Sequence, residues 1–127
     1  MPRSAVTSPN ASTVGPYSHA VWAGELLYLS GQTPIDPATG NLVYGDVGAQ
    51  AAQCFANLFD VLAAAGLAPG DVIKVNVYLT DMADFQAMNA VYAGQFAMPY
   101  PARTTVAVAG LPLGARIEIE LIARRSA

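Results

Sequence analysis

Charged residues and cysteines are scarce in this chain of 127 residues. Charged residues make up 12% of the sequence and hydrophobic residues 54%, which excludes an intrinsically disordered chain. One cysteine, Cys54, excludes an internal disulfide, and with one histidine, His19, it excludes a closed zinc site built within one chain. We therefore expect no metal and no disulfide, and a lone cysteine agrees with the reducing cytoplasm.

Basic charge is also sparse. Six Lys and Arg residues stand against nine Asp and Glu residues, and the net charge is −3. Only Arg124 and Arg125 adjoin, so the chain lacks the basic stripe that a phosphate backbone requires, and nucleic acid is disfavoured as a partner. No apolar run approaches the ~20 residues that span a bilayer, and the N-terminus lacks a signal-peptide pattern. The sequence predicts a cytoplasmic protein without a membrane segment.

The length predicts a single domain over residues 1–127, because one ordinary core needs a chain of this size. No repeat, low-complexity tract or linker divides the sequence. The low charge content indicates more buried surface than one small monomer provides, which favours an oligomer.

Periodicity in the hydrophobic positions predicts alternating strands and helices. Strands at 19–22 and 26–30 are expected to form a hairpin. A long amphipathic helix is expected from Asp46, its N-cap, to Gly66, its C-terminal stop. The remaining predicted elements are a strand over 72–80, a second helix from Asp81 to before Pro99, and strands over 104–109 and 115–123.

The two faces of the predicted sheet differ. The strand over 72–80 has an apolar face, formed by Ile73, Val75, Val77 and Leu79. Two helices cover only one face of a sheet of five or six strands, so the other face meets solvent or another subunit. On the last strand, the second face carries both charged and bulky side chains, which suit a cleft between subunits. These residues are Arg116, Glu118, Glu120 and Ile122.

The last two strands carry a candidate site. Arg103 and Thr105 share one strand face, and Glu118 and Glu120 share a face of the next strand. If these strands pair with Thr105 opposite Glu118, all four side chains converge. A guanidinium that grips a carboxylate then lies beside a carboxylate that orients a water. The alternative is that these residues form structural ion pairs across a subunit contact, and the pattern alone favours that alternative.

Five segments form a pattern that goes beyond periodicity. They are Gly-Pro-Tyr-Ser-His-Ala-Val at 15–21, Leu-Ser-Gly-Gln-Thr-Pro-Ile-Asp-Pro-Ala-Thr-Gly at 29–40, residues 85–92 with Asn89, Pro-Ala-Arg-Thr-Thr-Val at 101–106, and Ile-Glu-Ile-Glu at 117–120. In this order, and over nearly the whole chain, they resemble the RidA (YjgF-like) family. Five separate blocks are a specific signal, unlike one short motif.

The resemblance implies a fold, an assembly and an activity. The implied subunit is chorismate-mutase-like α+β, with one sheet of about six mostly antiparallel strands and two helices on one face. It implies a homotrimer with clefts at the subunit contacts. The implied activity is hydrolysis of 2-imino or enamine acids to 2-keto acids and ammonia without metal or organic cofactor, as in a 2-iminobutanoate/2-iminopropanoate deaminase.

The resemblance also assigns site residues. Arg103 matches the arginine that binds the substrate carboxylate, and Glu118 matches the residue that positions the attacking water. The cleft-lining positions match Tyr17, Ser30, Gly31 and Asn89. Many members carry a cysteine two residues after the arginine, where this chain has Thr105, so a role that needs a thiol is absent.

Three other functions stay open from the sequence. The same cleft serves a non-catalytic trimer that senses metabolites, or a pathway-specific deaminase of an aminomuconate-like compound. Endoribonuclease activity is also associated with relatives, but the acidic charge disfavours it here.

Overall fold

The computed structural model describes residues 2–9 and 15–126, which form one mixed six-stranded sheet and two α-helices. The strands are β1 (Ala5–Val6), β2 (Ala20–Ala23), β3 (Leu26–Gln32), β4 (Val72–Leu79), β5 (Ala102–Ala107) and β6 (Ile117–Arg124). The helices are α1 (Val47–Ala64) and α2 (Phe85–Ala93). The sheet order is β1-β2-β3-β6-β4-β5, and all neighbours are antiparallel except β4 and β5. The predicted α+β architecture is confirmed.

Both helices pack on one face of the sheet, as predicted. Burial of the apolar side chains between the two layers drives their association, at roughly 25 cal/mol for each Å² removed from water. The opposite face stays uncovered within the chain, where Tyr28 and Val106 are exposed. The largest buried side chains of the core include Phe55, Leu58, Val75, Ile119 and Leu121.

The first helix begins and ends where the sequence predicts. The Asp46 carboxylate accepts a hydrogen bond from the Ala49 N–H at 3.0 Å, which satisfies one of the free amides of the first turn. Gly66, just beyond the helix, has φ +77°, a conformation that glycine adopts without strain. Cys54 lies on the buried face, and burial raises the pKa of its thiol, as expected for a core residue and not a nucleophile.

The prediction that Ile73 lies on the apolar face of its strand is wrong. The pairing of β4 with β6 is irregular between Val72 and Lys74, and this β-bulge turns Ile73 outward, where it is 44% exposed. From Val75 onward the predicted alternation holds, since Val75 and Val77 are fully buried.

The predicted pairing of the last two strands is also wrong. β4 lies between them, parallel to β5 and antiparallel to β6. Arg103 lies beside Val75 and therefore points to the helix-covered face, whereas Glu118 lies beside Tyr78 and points to the uncovered face. The physical reason is burial. β6 carries the buried side chains Ile119 and Leu121 and takes a central place between β3 and β4, which leaves the more exposed β5 at the edge of the sheet.

The last two strands are shifted by about two residues from the predicted 104–109 and 115–123, and the bounds of the second helix also differ from expectation. The Asp81 carboxylate caps a short 3₁₀ turn, Met82–Asp84, before α2, and α2 ends at Ala93 instead of continuing toward Pro99. The two-residue strand β1 was not predicted; it pairs with β2 at the sheet edge. Within the described ranges, no helix is long and apolar enough to cross a membrane.

Candidate active site

Arg103 is held by one face of α2. Its Nη1 donates a hydrogen bond to Asn89 Oδ1 at 2.7 Å. The guanidinium carbon lies 4.5 Å from the ring centroid of Tyr92 and 5.5 Å from that of Phe85. Phe85, Asn89 and Tyr92 follow each other at four- and three-residue steps, so they project from the same side of the helix. We call these four residues the arginine half-site.

A cavity of about 520 Å³ opens beside the half-buried Arg103 side chain. Among the described residues, Asn89 is the sole hydrogen-bond acceptor for this guanidinium, and no carboxylate lies within ion-pairing distance of it. Its other N–H groups are therefore available to an anionic ligand. The cavity is lined by Asn89, Tyr92, Ala93, Tyr100, Pro101 and Arg103.

Thr105 lies two residues beyond Arg103 on the same face of β5, beside Val77. Its Oγ1 is buried and has no hydrogen-bond partner among residues 2–9 and 15–126. Thr105 is not among the residues that line the cavity, although it shares the helix-covered face of β5 with Arg103.

Glu118 is half-buried on the uncovered face of β6. It packs against β3, where the pairing with β6 shifts across Ser30 and Gly31. A Cβ atom on Gly31 would overlap the Oε1 of Glu118 and lie 3.0 Å from its Cδ. Glycine at this position therefore makes room for the Glu118 carboxylate.

Burial raises the pKa of Glu118, and the nearby Glu120 carboxylate raises it further. Glu120 accepts a hydrogen bond from the Tyr78 hydroxyl. That hydrogen bond, with burial, raises the pKa of Tyr78 to about 12. A carboxyl group with a raised pKa exchanges its proton closer to neutral pH than an ordinary glutamate, which suits a general acid or base. We call Glu118, Glu120, Tyr78, Ser30 and Gly31 the glutamate half-site.

Ser30 connects the segment that carries Tyr17 to β3. The Ser30 hydroxyl donates to the Ser18 carbonyl at 2.7 Å, and the Ser30 N–H donates to the His19 carbonyl at 2.9 Å. The Tyr17 side chain is 41% exposed. The Ser30 hydroxyl proton is thus engaged with the backbone, and Ser30 positions its neighbours.

The predicted site residues fall into two groups within one chain. Arg103 and Asn89 lie together on the helix-covered side, at the edge strand. Ser30, Gly31 and Glu118 lie together at the other face of the sheet. One copy of the chain does not bring Arg103 and Glu118 into a common cavity.

Tyr92 and Tyr78 were missed as site residues. Tyr92 is an apolar position of the second helix that packs on the core, and the face of its ring also contacts Arg103. The three-residue step from Asn89 to Tyr92 was a usable signal, because residues at this spacing share a helix face. Tyr78 lies opposite Glu118, which becomes evident only once the strand order is known. Across the described part of the chain, no group of three His, Cys, Asp or Glu side chains is arranged to hold a metal.

The chain is similar to several known proteins in sequence and in fold. A family model described as endoribonuclease L-PSP matches residues 7–125. A RutC family protein of Pyrococcus horikoshii is 52% identical over 110 residues, which cover 87% of each chain. A 2-iminobutanoate/2-iminopropanoate deaminase of Capra hircus is 44% identical over 117 residues, covering 92% of this chain and 85% of that protein. The crystal structure of RidA from Psychrobacter superposes with a TM-score of 0.92 at 44% identity, covering 97% of this chain and 100% of that one.

An open six-stranded sheet with two helices on one face, carrying an arginine and a glutamate half-site, defines an α+β protein of the RidA type. The matched length and identity are decisive, and the chain belongs to the RidA (YjgF) family. Relatives in this family carry several names, some of them those of deaminases.

Proposed function

We propose that this chain is a single-domain cytoplasmic hydrolase that converts reactive 2-imino and enamine acids to 2-keto acids and ammonia. The relatives named 2-iminobutanoate/2-iminopropanoate deaminase support this activity. In the proposal, Arg103 binds the substrate carboxylate and Glu118 handles the water, without metal or organic cofactor.

One observation carries the proposal: a half-buried arginine that lines a cavity and has no carboxylate partner among the described residues. The N–H groups of this guanidinium that Asn89 does not engage are available to a carboxylate ligand. A planar 2-imino carboxylate accepts parallel hydrogen bonds from the guanidinium, at roughly 1.5–3 kcal/mol for each charge-assisted bond. Asn89 fixes one edge of Arg103 and leaves the others to the substrate.

The chemistry needs positioning more than activation. A protonated imine carbon is already electrophilic, so water delivered to it forms the C–O bond. Glu118 accepts a proton from that water and returns it to the nitrogen. The C–N bond then breaks and ammonia leaves, while Glu118 takes the hydroxyl proton of the tetrahedral intermediate and the carbonyl of the 2-keto acid forms. An enamine first takes a proton at carbon to become the protonated imine.

If the two half-sites act together, a second copy of the chain supplies one of them. Since they lie on opposite faces of the sheet, a cyclic assembly brings the arginine half-site of one copy to the glutamate half-site of the next. We propose a homotrimer with three such clefts. In it, Tyr17, Ser30 and Gly31 line the substrate cleft from one copy and Asn89 from the other, and Thr105 shapes the strand behind Arg103.

The experiment generates 2-iminopropanoate and 2-iminobutanoate with an amino-acid oxidase and traps the remaining imine with semicarbazide. Wild type should accelerate the loss of the trapped signal. Arg103→Ala should abolish the acceleration, and Arg124→Ala should retain it, because Arg124 is an exposed arginine outside the cavity.

Each outcome separates the candidate functions. Equal rates with and without wild-type protein, across several imino acids, contradict the proposal. Binding of 2-keto acids without turnover then identifies a metabolite sensor, whereas turnover of an aminomuconate-like compound alone identifies a pathway-specific deaminase. Salt-dependent cleavage of RNA identifies a nuclease.

A further inference from the structure

The guanidinium of Arg103 rests on a fixed aromatic ring. Tyr92 is only 5% exposed, and its ring lies 5.7 Å from that of Phe55 and 5.3 Å from that of Phe96. These neighbours belong to the core, so the Tyr92 ring has little freedom to move. Its face is presented to the guanidinium carbon at 4.5 Å. A cation at this distance is attracted by the electrons of the ring face.

The hydroxyl of Tyr92 forms no hydrogen bond to Arg103. It is buried and has no hydrogen-bond partner within residues 2–9 and 15–126. Burial also raises the pKa of this hydroxyl, so it stays protonated at neutral pH. The contact that Tyr92 makes with Arg103 is through its ring, and a phenylalanine supplies the same ring.

Arginine is a flexible side chain, and ordering it at the moment of binding lowers affinity. The Tyr92 ring restricts the guanidinium plane, while Asn89 restricts its rotation within that plane. Both contacts leave the remaining N–H groups beside the cavity. The arginine is thus ordered before a ligand arrives.

We propose that Tyr92 is a positioning residue that sets the affinity of this site for carboxylates through the face of its ring, acting on Arg103. The inference rests on the proposed function, in which Arg103 is the carboxylate receptor. It assigns to Tyr92 an effect on substrate and product binding and none on the later chemical step.

The test compares KM and kcat for 2-iminobutanoate, and Kd for 2-oxobutanoate, in a set of variants. Tyr92→Phe should stay within about twofold of wild type. Tyr92→Leu should raise KM and Kd about three- to thirtyfold, the range of a partly desolvated cation–π contact, with kcat little changed. Phe59→Leu removes a ring from the same aromatic cluster without touching Arg103, so it should lower Tm and leave KM unchanged.

A second series keeps the shape of the ring and changes only its electrons. Phenylalanine carrying one, two or three fluorines at position 92 should raise KM and Kd progressively as the ring face loses negative potential. If Tyr92→Leu does not fold, this series still tests whether the Tyr92 ring sets the affinity for carboxylates. A merely structural role predicts the same affinity across the series.

The outcomes are distinguishable from failure of the proposed function. Turnover by wild type with constant KM and Kd across the fluorinated series overturns the role of Tyr92 alone. A Tyr92→Phe variant as weak as Tyr92→Leu also overturns it, because the hydroxyl would then be the active group. Neither turnover nor 2-oxobutanoate binding by wild type overturns the proposed function, and this inference with it.

Discussion

Gly31 makes the glutamate half-site sensitive to a small substitution on β3. A Cβ there would meet the Glu118 carboxylate, while the backbone of Gly31 does not have a positive φ and so accepts alanine. Gly31→Ala should therefore displace Glu118, with a loss of at least about tenfold in kcat and only a small change in Tm. Steady-state kinetics and thermal unfolding measure both quantities.

Gly70→Ala is the matched control, because a Cβ at Gly70 meets no atom within 4 Å. It should leave kcat unchanged. Retained activity in Gly31→Ala would show that Glu118 does not need its observed position.

Glu118 should lower the stability of the chain at neutral pH. Burial raises the pKa of Glu118 in the folded state, whereas the unfolded chain has the ordinary value of 4.5. As pH rises above 4.5, the unfolded chain loses this proton first, so the folded state is progressively disfavoured until Glu118 ionises there too. Glu118→Gln should raise Tm by a few degrees at pH 8 and leave it unchanged at pH 4.

Glu120→Gln provides the comparison. It removes only the smaller cause of the raised Glu118 pKa and weakens the hydrogen bond from Tyr78, so any gain in Tm at pH 8 should be smaller than that of Glu118→Gln. An equal gain for Glu118→Gln at both pH values would show that ionisation is not the cause.

At the scale of secondary-structure elements, a hydrogen bond to His19 holds the chain just beyond the first strand. The buried Ser8 N–H donates to Nδ1 of His19 at 3.0 Å, just beyond β1. Burial lowers the pKa of His19 from 6.5 in the folded state. The unfolded chain therefore binds a proton first as pH falls through 6.5, and protonation of Nδ1 also removes the acceptor for Ser8. Stability should fall from pH 7.5 to pH 5.

His19→Gln keeps an acceptor for the Ser8 N–H but cannot take up a proton, so its loss of Tm over this range should be smaller than that of wild type. Hydrogen exchange should show residues 2–9 opening first in wild type at pH 5. Identical pH dependence in the two proteins would contradict this role of His19.

Elements with local signals were predictable from the sequence. The Asp46 cap and the Gly66 stop lie next to the helix that they bound, so α1 was placed within two residues. The exposed position of Ile73 depends on a bulge, and the bulge depends on how β6 pairs with β4. Short-range periodicity does not contain that information. The end of α2 at Ala93 likewise precedes the apolar Phe96, which packs on the core from outside the helix.

At the scale of the whole molecule, strand order decides which site residues meet. The motifs singled out Arg103 and Glu118 as candidate site residues, but the expected pairing of the last two strands put them on one face of the sheet. The helix between β4 and β5 was a signal for a parallel pair, but it does not reveal that β6 pairs with the other edge of β4. With the order known, the two residues lie on opposite faces, and the prediction of clefts between subunits becomes a geometric requirement of the proposed function.

The central claim is that Arg103 and Glu118 of different copies form one hydrolytic cleft, and subunit mixing tests it most directly. Arg103→Ala and Glu118→Gln should each be inactive alone. Co-expressed in equal amounts and purified together as mixed trimers, they should recover about a quarter of wild-type turnover, since that share of clefts joins two intact half-sites in a cyclic trimer. Mixed trimers that form and stay inactive would contradict the shared cleft.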